Sequence, residues 1–90
     1  MKLAWHLEWS KEAIKELSKI EQKEAKRIIK KLEVCLENPF SHFERLSGYE
    51  DYKIRAGNYR AICLLVFQTN TIIVQKVGHR KNIYKRFEKQ

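Results

Sequence analysis

The segment YKIRAGNYRAICLLVF, which spans residues 52–67, places three cationic side chains where they could act together. It is predicted to form a β-hairpin around a two-residue Gly57-Asn58 turn, because glycine tolerates positive φ and asparagine tolerates it next best. Counting outward from this turn puts Arg55 opposite Arg60, with Lys53 on the same face of the hairpin. Two opposed arginines repel each other by about 0.2–1 kcal/mol, so a polyanionic ligand would explain why the chain keeps them together.

A second candidate group follows the last predicted strand, in the sequence VGHRKNIY. The strand before it must run back beside the second hairpin strand, so His79 and Arg80 are expected at the same end of the sheet as Arg60. Tyr84 follows Arg80 by one helical turn and can lean over the same place. Guanidinium groups bind phosphate bidentately and stabilise charge that grows on it, while a tyrosine can stack on a base or exchange a proton. These residue types predict phosphoryl transfer on RNA, with His79 as a further acid–base candidate.

The sequence has no acidic cluster of the kind that holds Mg²⁺, which argues against two-metal chemistry, and no metal or cofactor is predicted. Cys35 lies in a helical apolar stripe and Cys63 in an apolar strand, so both are interpreted as small buried hydrophobic residues. Their spacing indicates neither a metal site nor a disulfide framework.

The elements that must position these residues are predicted in the order βααβββα, which is an α+β fold. Residues 2–9 alternate between apolar and polar side chains, as in a strand with one buried face. Ser10 is the expected N-cap of the first helix. A turn near Ile20-Glu21 precedes the second helix, which is predicted from about Gln22 to Glu37 because Asn38-Pro39 would stop it.

Three strands are predicted to follow a loop or short strand in residues 40–51. They cover residues 52–56, 59–67 and 71–77, and a short C-terminal helix covers residues 82–89. The hairpin pairs are expected to be Ala56 with Tyr59, Arg55 with Arg60, Ile54 with Ala61 and Lys53 with Ile62. The predicted fold is a small antiparallel or mixed sheet with the N-terminal helical hairpin on one face. The opposite face, which bears the three cations, stays open.

Charge is distributed unevenly along the chain, which has a net charge of +8 and is expected to form one domain of residues 1–90. Residues 1–45 contain 10 basic and 8 acidic side chains, whereas residues 46–90 contain 9 and 3. The helix lysines alternate with glutamates and are interpreted as a solvated face. The positive field of the second half favours nucleic acid over a membrane as the partner. The longest apolar run, residues 61–67, is too short to span a bilayer, and a cytoplasmic location is expected.

The βααβββα order, together with YKIRAGNYRAI and VGHRKNIYKRF, resembles the RelE/ParE toxin superfamily, and most of all the archaeal RelE-type mRNA interferase toxins. The matching motifs are Gly57-x-Tyr59-Arg60 and Val77-Gly78-His79-Arg80-x-x-x-Tyr84, and the likeness extends over essentially the whole chain. It implies the toxin of a type II toxin–antitoxin system that inhibits translation. Such toxins are ribosome-dependent, metal-independent endoribonucleases that cleave mRNA by attack of a 2′-OH on the adjacent phosphate. The implied partners are the ribosome, mRNA and a cognate RelB-like antitoxin.

The resemblance also implies roles for individual residues. Arg60 and Arg80 match the arginines that bind phosphate and stabilise the transition state, and Tyr84 matches the tyrosine that stacks or transfers a proton. Lys53 and Arg55 match a Lys-x-Lys pair in which one member is proposed as the general base. Because an arginine does not readily lose a proton, this role falls to Lys53. The residues expected to bind RNA phosphates are Arg55, His79 and Lys81.

Two other functions stay open at this point. ParE-type members share the fold but are described as binding DNA gyrase, and they generally lack the tyrosine and the full basic set. A non-catalytic nucleic-acid-binding module would account for the charge, but it gives no reason for Tyr84. The presence of Tyr84 and Lys53 favours the RelE-type function over both.

Overall fold

The computed structural model describes residues 5–39, 43–45 and 51–81, which form two helices and one mixed sheet. The elements are β1 (His6–Trp9), α1 (Lys11–Ser18), α2 (Gln22–Cys35), β2 (Glu44–Arg45), β3 (Tyr52–Ala56), β4 (Tyr59–Val66) and β5 (Thr71–His79). The five strands are ordered β1-β5-β4-β3-β2, with β1 parallel to β5 and each other neighbouring pair antiparallel. The predicted α+β fold is confirmed. Strand β2 falls within the segment predicted as a loop or short strand, and the predicted C-terminal helix lies outside the described residues.

Local hydrogen bonds mark the start of α1 and the end of α2. The Ser10 hydroxyl accepts a hydrogen bond from the Ala13 backbone N–H at 3.0 Å, so Ser10 is the N-cap of α1, as predicted. Helix α2 ends at Cys35, two residues before its predicted end. The Leu36 N–H donates a hydrogen bond to the Glu33 carbonyl, three residues earlier, at 3.2 Å. This bond makes the last turn tighter than an α-helical turn, and the helix ends there. Neither helix in the described ranges has the length and apolar character needed to cross a membrane.

The hydrophobic core lies between the helices and one face of the sheet. On α2 the side chains of Ile28, Leu32 and Cys35 are buried, and they pack in one cluster with inward-facing residues of β3, β4 and β5. Each fully buried Ile or Leu contributes about 1.5–3 kcal/mol to stability. Cys63 belongs to the same cluster, so both cysteines are buried free thiols, as predicted. Burial raises the pKa of the Cys35 thiol to about 11 and also raises the pKa of Cys63, so both stay protonated at neutral pH.

Strand β1 is an edge strand that shows the predicted alternation. Leu7 and Trp9 face the core and are half-buried, whereas His6 and Glu8 are exposed on the other face. The parallel pairing of β1 with β5 ends where Trp9 lies beside Val74. No strand of the described ranges flanks the rest of β5 on this side.

Helix α1 covers the part of β5 that lies beyond the end of β1. The Glu16 carboxylate accepts a hydrogen bond from the Val77 backbone N–H at 2.9 Å, and Glu12 forms an ion pair with Lys76. A backbone donor at a strand edge needs such a partner when it is withdrawn from water. Helix α1 therefore holds the last part of β5, which leads into the second candidate group.

We predict that Glu16→Ala lowers the free energy of unfolding by about 1–3 kcal/mol, because it removes the acceptor of a partly buried backbone N–H. Glu12→Ala is the matched control. It removes the same charge from the same helix and breaks an exposed ion pair with Lys76, so its cost should be about 0–1 kcal/mol. Urea denaturation followed by circular dichroism measures both. Equal losses in the two variants would contradict a specific role of Glu16 at the edge of β5.

Candidate functional site

The turn between β3 and β4 lies at Gly57-Asn58, as predicted, although Asn58 does not adopt a positive φ. Gly57 has a positive φ of 64°, and the strands pair as counted from the turn, with Ala56 beside Tyr59 and Arg55 beside Arg60. The remaining predicted pairs, Ile54 with Ala61 and Lys53 with Ile62, are also found. Side chains opposite each other in antiparallel strands share a face. The predicted grouping of Lys53, Arg55 and Arg60 on one face is therefore confirmed.

Lys53, Arg55 and Arg60 lie on the face of the sheet away from the helices, which we call the open face. Ala56 and Ala61, which alternate with them along the hairpin, are buried in the core on the other side. Arg55 is exposed, whereas Lys53 and Arg60 are half-buried and the Nη1 atom of Arg60 is buried. A buried guanidinium nitrogen attracts an anion more strongly than one in water, because the local dielectric constant is lower.

The open face also contains a buried apolar side chain. Ile62 is fully buried, and it lies between Lys53 on β3 and Lys76 on β5. The aliphatic stems of lysines can cover such a neighbour while their ammonium groups stay outside. A register shift between Ile62 and Cys63 brings Lys76 to this position. Because Lys76 pairs with Glu12, it adds little to the positive charge of the open face.

Strand β5 returns to the end of the sheet where the hairpin turns, as predicted. Gly78 lies beside Arg60, and the Arg80 N–H donates to the Asn58 carbonyl in the hairpin turn at 2.9 Å. Because glycine has no side chain, no side chain of β5 lies directly beside Arg60 on the open face. Arg80 is exposed, and so is the next residue, Lys81. The predicted meeting of the hairpin with the segment after β5 is therefore confirmed.

His79 shares this end of the sheet but not the open face. Strand β5 extends to His79, two residues beyond its predicted end, and His79 lies beside Tyr59. Tyr59 also pairs with Ala56, which is buried in the core, so His79 and Tyr59 belong to the face that the helices cover. Their rings meet edge to face, with centroids 5.5 Å apart and an interplanar angle of 76°. The Lys81 N–H donates to His79 Nδ1 at 3.2 Å, so the neutral ring has its proton on Nε2.

Arg27 of α2 is a cation at this end of the sheet that sequence analysis did not single out. Its side chain lies against the hairpin turn, because a Cβ atom placed on Gly57 would be 3.1 Å from Arg27 Nη1 and 3.6 Å from Arg27 Cδ. Glu24, in the preceding turn of α2, pairs with the guanidinium group at 3.3 Å. The only signal in the sequence is helical spacing, which puts Arg27 in one row with Lys23 and Lys30 but does not say which strand they approach.

The described part of the site consists of cationic and aromatic side chains. Within residues 5–39, 43–45 and 51–81, no three His, Cys, Asp or Glu side chains are grouped so that they could hold a metal ion. Four arginines from α2, the hairpin and the segment after β5 come to one end of the sheet: Arg27, Arg55, Arg60 and Arg80. Such a cluster can bind phosphate and stabilise negative charge that grows on it. Tyr84 lies outside the described residues, so its place beside this cluster stays a prediction.

We predict that His79 orders the turn that bears Arg80 and Lys81 through its Nδ1 atom. In His79→Asn the side-chain oxygen takes the place of Nδ1 and can accept the Lys81 N–H, whereas His79→Leu has no acceptor. The Lys81 amide should therefore exchange its hydrogen faster in His79→Leu than in His79→Asn. His79→Leu should also lose about 0.5 kcal/mol more stability, the low end for a hydrogen bond, because this one is exposed. Equal exchange rates would show that packing against Tyr59 orders the turn instead.

The fold is shared with solved structures of RelE toxins. One chain of the RelB–RelE antitoxin–toxin complex from Methanococcus jannaschii is similar with a TM-score of 0.68 and 31% identity, over 89% of this chain and 98% of that one. A mutant of the E. coli toxin RelE in the free state gives a TM-score of 0.78 and 27% identity, over 96% and 94%. The archaeal RelE–RelB complex from Pyrococcus horikoshii OT3 gives 0.72 at 17% identity, over 89% and 99%, which is a likeness of fold alone. A search of curated protein sequences gave no match.

The chain belongs to the family of ParE toxins of type II toxin–antitoxin systems, parDE, whose family model matches residues 7–84. The predicted membership of the RelE/ParE toxin superfamily is thereby confirmed. The matched residues include the whole predicted site, from Lys53 to Tyr84.

Proposed function

We propose that this toxin is a ribosome-dependent, metal-independent endoribonuclease that cleaves mRNA in the cytoplasm and thereby inhibits translation. The proposal rests on the pairing of Arg55 with Arg60 on the open face, at the end of the sheet where the chain returns at Arg80. Opposed like charges suit an anion that binds between them, and arginines suit phosphate. The similar chains from M. jannaschii and E. coli bear the name RelE, which favours the RelE-type activity that the sequence motifs imply.

In the proposed reaction the ribose 2′-oxygen attacks the adjacent phosphorus, so that a 2′-O–P bond forms and the P–O5′ bond breaks. The products are a 2′,3′-cyclic phosphate and a 5′-hydroxyl end. Lys53 takes the proton from the 2′-OH as the general base, and Tyr84 gives a proton to the leaving 5′-oxygen as the general acid. Arg60 and Arg80 bind the reacting phosphate and stabilise the charge that develops on it. Arg55 and Lys81 are proposed to bind flanking phosphates. The predicted phosphate-binding role of His79 is not carried into the proposal, because His79 lies on the face that the helices cover.

We predict that Arg60→Ala and Arg80→Ala each reduce cleavage of ribosome-bound mRNA by about 10²–10³-fold without unfolding the protein.

Tyr84→Phe keeps the ring but loses the hydroxyl, so it should reduce the single-turnover rate by about 10²–10⁴-fold while ribosome binding changes little. Lys11→Ala, which removes an exposed cation of α1, is the control and should cleave like the wild type. Primer extension on mRNA in programmed ribosomes measures these rates. Wild-type cleavage by folded Arg60→Ala would remove the catalytic assignment.

One observation favours a second function, because the matching family model describes ParE toxins. ParE-type members are described as binding DNA gyrase instead of cutting RNA, and that function gives no reason for Lys53 and Tyr84. A gyrase supercoiling assay, run beside primer extension on the same preparation, separates the two functions. Inhibition of supercoiling together with intact mRNA would replace the nuclease by gyrase binding.

We also propose that a cognate RelB-like antitoxin neutralises this toxin by covering the open face. The similar chain from M. jannaschii is part of a complex with RelB. The open face presents Lys53, Arg55 and Arg60 to any acidic segment that lies across it. An antitoxin bound there would exclude RNA from the same cations.

We predict that Arg55→Gln weakens antitoxin binding and that binding by the wild-type toxin weakens with added salt, since exposed charge pairs are screened. Arg55 is exposed, and its loss relieves the repulsion with Arg60, so the variant should be at least as stable as the wild type. Lys11→Gln is the control for a loss of charge elsewhere. Calorimetric titration at low and high salt measures both effects. Salt-independent binding, or equal weakening by Lys11→Gln, would place the antitoxin on another surface.

A further inference from the structure

Helix α2 presents a row of cations that the proposed reaction does not use. Lys23, Arg27 and Lys30 are spaced by four and three residues, so they fall on one side of the helix, and all three are exposed. We call them the α2 row. The sequence of α2 contains five basic and two acidic residues, whereas α1 contains two of each. The helical layer is therefore positive mainly through α2.

The α2 row meets the candidate site at the hairpin turn. The guanidinium group of Arg27 packs so closely on Gly57 that a Cβ atom there would lie 3.1 Å from Nη1. Arg55 precedes Gly57 by two residues and Arg60 follows it by three. Arg27 thus lies at the end of the sheet, between the open face and helix α2. Glu24, which is half-buried, pairs with the exposed guanidinium group of Arg27 at 3.3 Å, so part of Arg27 stays accessible to a phosphate.

We propose that the α2 row is a second phosphate-binding surface, which binds RNA backbone beyond the reacting phosphate. The inference rests on the proposed function in one respect, because it requires RNA to lie along the open face. Arg27 joins the two surfaces, since its guanidinium group reaches the turn that separates Arg55 from Arg60. An RNA strand that passes around this turn remains in contact with positive charge on both sides.

RNA backbone suits the α2 row better than an acidic protein segment does. Successive phosphates each bear a charge, so cations spaced by about one helical turn, roughly 5.4 Å, can bind them without apolar contacts. Protein partners depend on aromatic or aliphatic anchors that fill pockets. Between Lys23 and Lys30 the α2 row contains no large apolar side chain, and the exposed Val34, one turn after Lys30, is the single such residue that continues the row within α2. The continuity of the row with the arginines of the hairpin also favours a ligand that extends over both.

The test compares Arg27→Gln with Lys11→Gln, which removes one exposed charge from α1, on the β5 side of the helical layer. The probes are programmed ribosomes, ribosomes without mRNA and free single-stranded mRNA, with 2′-O-methyl groups on the mRNA so that it is not cleaved. Dissociation constants are measured over a salt series. Arg27→Gln should weaken binding about 3- to 10-fold and lower the slope of log K against log salt concentration by about 0.7–0.9, the loss of one phosphate contact. Lys11→Gln should match the wild type, and Arg27→Lys should restore the slope.

Equal salt slopes for Arg27→Gln and Lys11→Gln overturn the proposal, and so does a wild-type protein that binds none of the three probes. Weaker antitoxin binding by Arg27→Gln without any change on RNA also overturns it, because the α2 row would then serve an acidic protein. Weaker binding of Arg27→Gln to free mRNA supports the proposal and identifies the message as the RNA that binds the α2 row. Weaker binding of Arg27→Gln to ribosomes without mRNA also supports it and identifies ribosomal RNA instead. If the salt slopes are as expected but unmodified mRNA stays intact, the phosphate-binding role of the α2 row stands and the proposed nuclease activity is overturned.

Discussion

The candidate site depends on the two-residue turn at Gly57-Asn58. Gly57 has a φ of 64°, which residues with a Cβ atom adopt only with strain, and a register slip of one residue would turn a whole strand to the opposite face. The same turn contacts two other parts of the chain, because Arg27 lies against Gly57 and the Arg80 N–H donates to the Asn58 carbonyl. Helix α2, the hairpin and the segment after β5 therefore meet at one point, and so do the cations that they bear.

The opposed arginines of the hairpin are unfavourable for folding by themselves. Repulsion between Arg55 and Arg60 costs about 0.2–1 kcal/mol, whereas burial of one side chain such as Ile62 stabilises the fold by about 1.5–3 kcal/mol. The apolar residues of the hairpin therefore offset the repulsion, and the strands can pair without a ligand. A polyanion would turn the same arrangement from a small cost into a source of affinity.

The two helices use their charges differently. Glu12 and Glu16 of α1 are engaged with β5, where they take the place of a neighbouring strand and hold the segment that leads to Arg80. Helix α2 has an excess of basic residues, and Arg27 brings part of it to the hairpin turn. The helix lysines are exposed as predicted, except for the half-buried Lys31. The exposure of these lysines alone, however, does not show that α2 approaches the candidate site while α1 supports β5.

The sequence by itself determined the features that depend on residues a few positions apart. The Ser10 cap, the Gly57 turn and the pairing of Arg55 with Arg60 follow from side-chain chemistry and from counting. The return of β5 to this end also follows, because an antiparallel strand must run back beside its neighbour. Tertiary structure decided the features that join distant segments, such as the bond between Glu16 and Val77, which are 61 positions apart. It also decided the parallel pairing of β1 with β5, the register shift beside Ile62, the face of His79 and the contact of Arg27 with Gly57. These depend on how the helices pack on the sheet, and that packing is set by side chains from several elements at once, which no local pattern records.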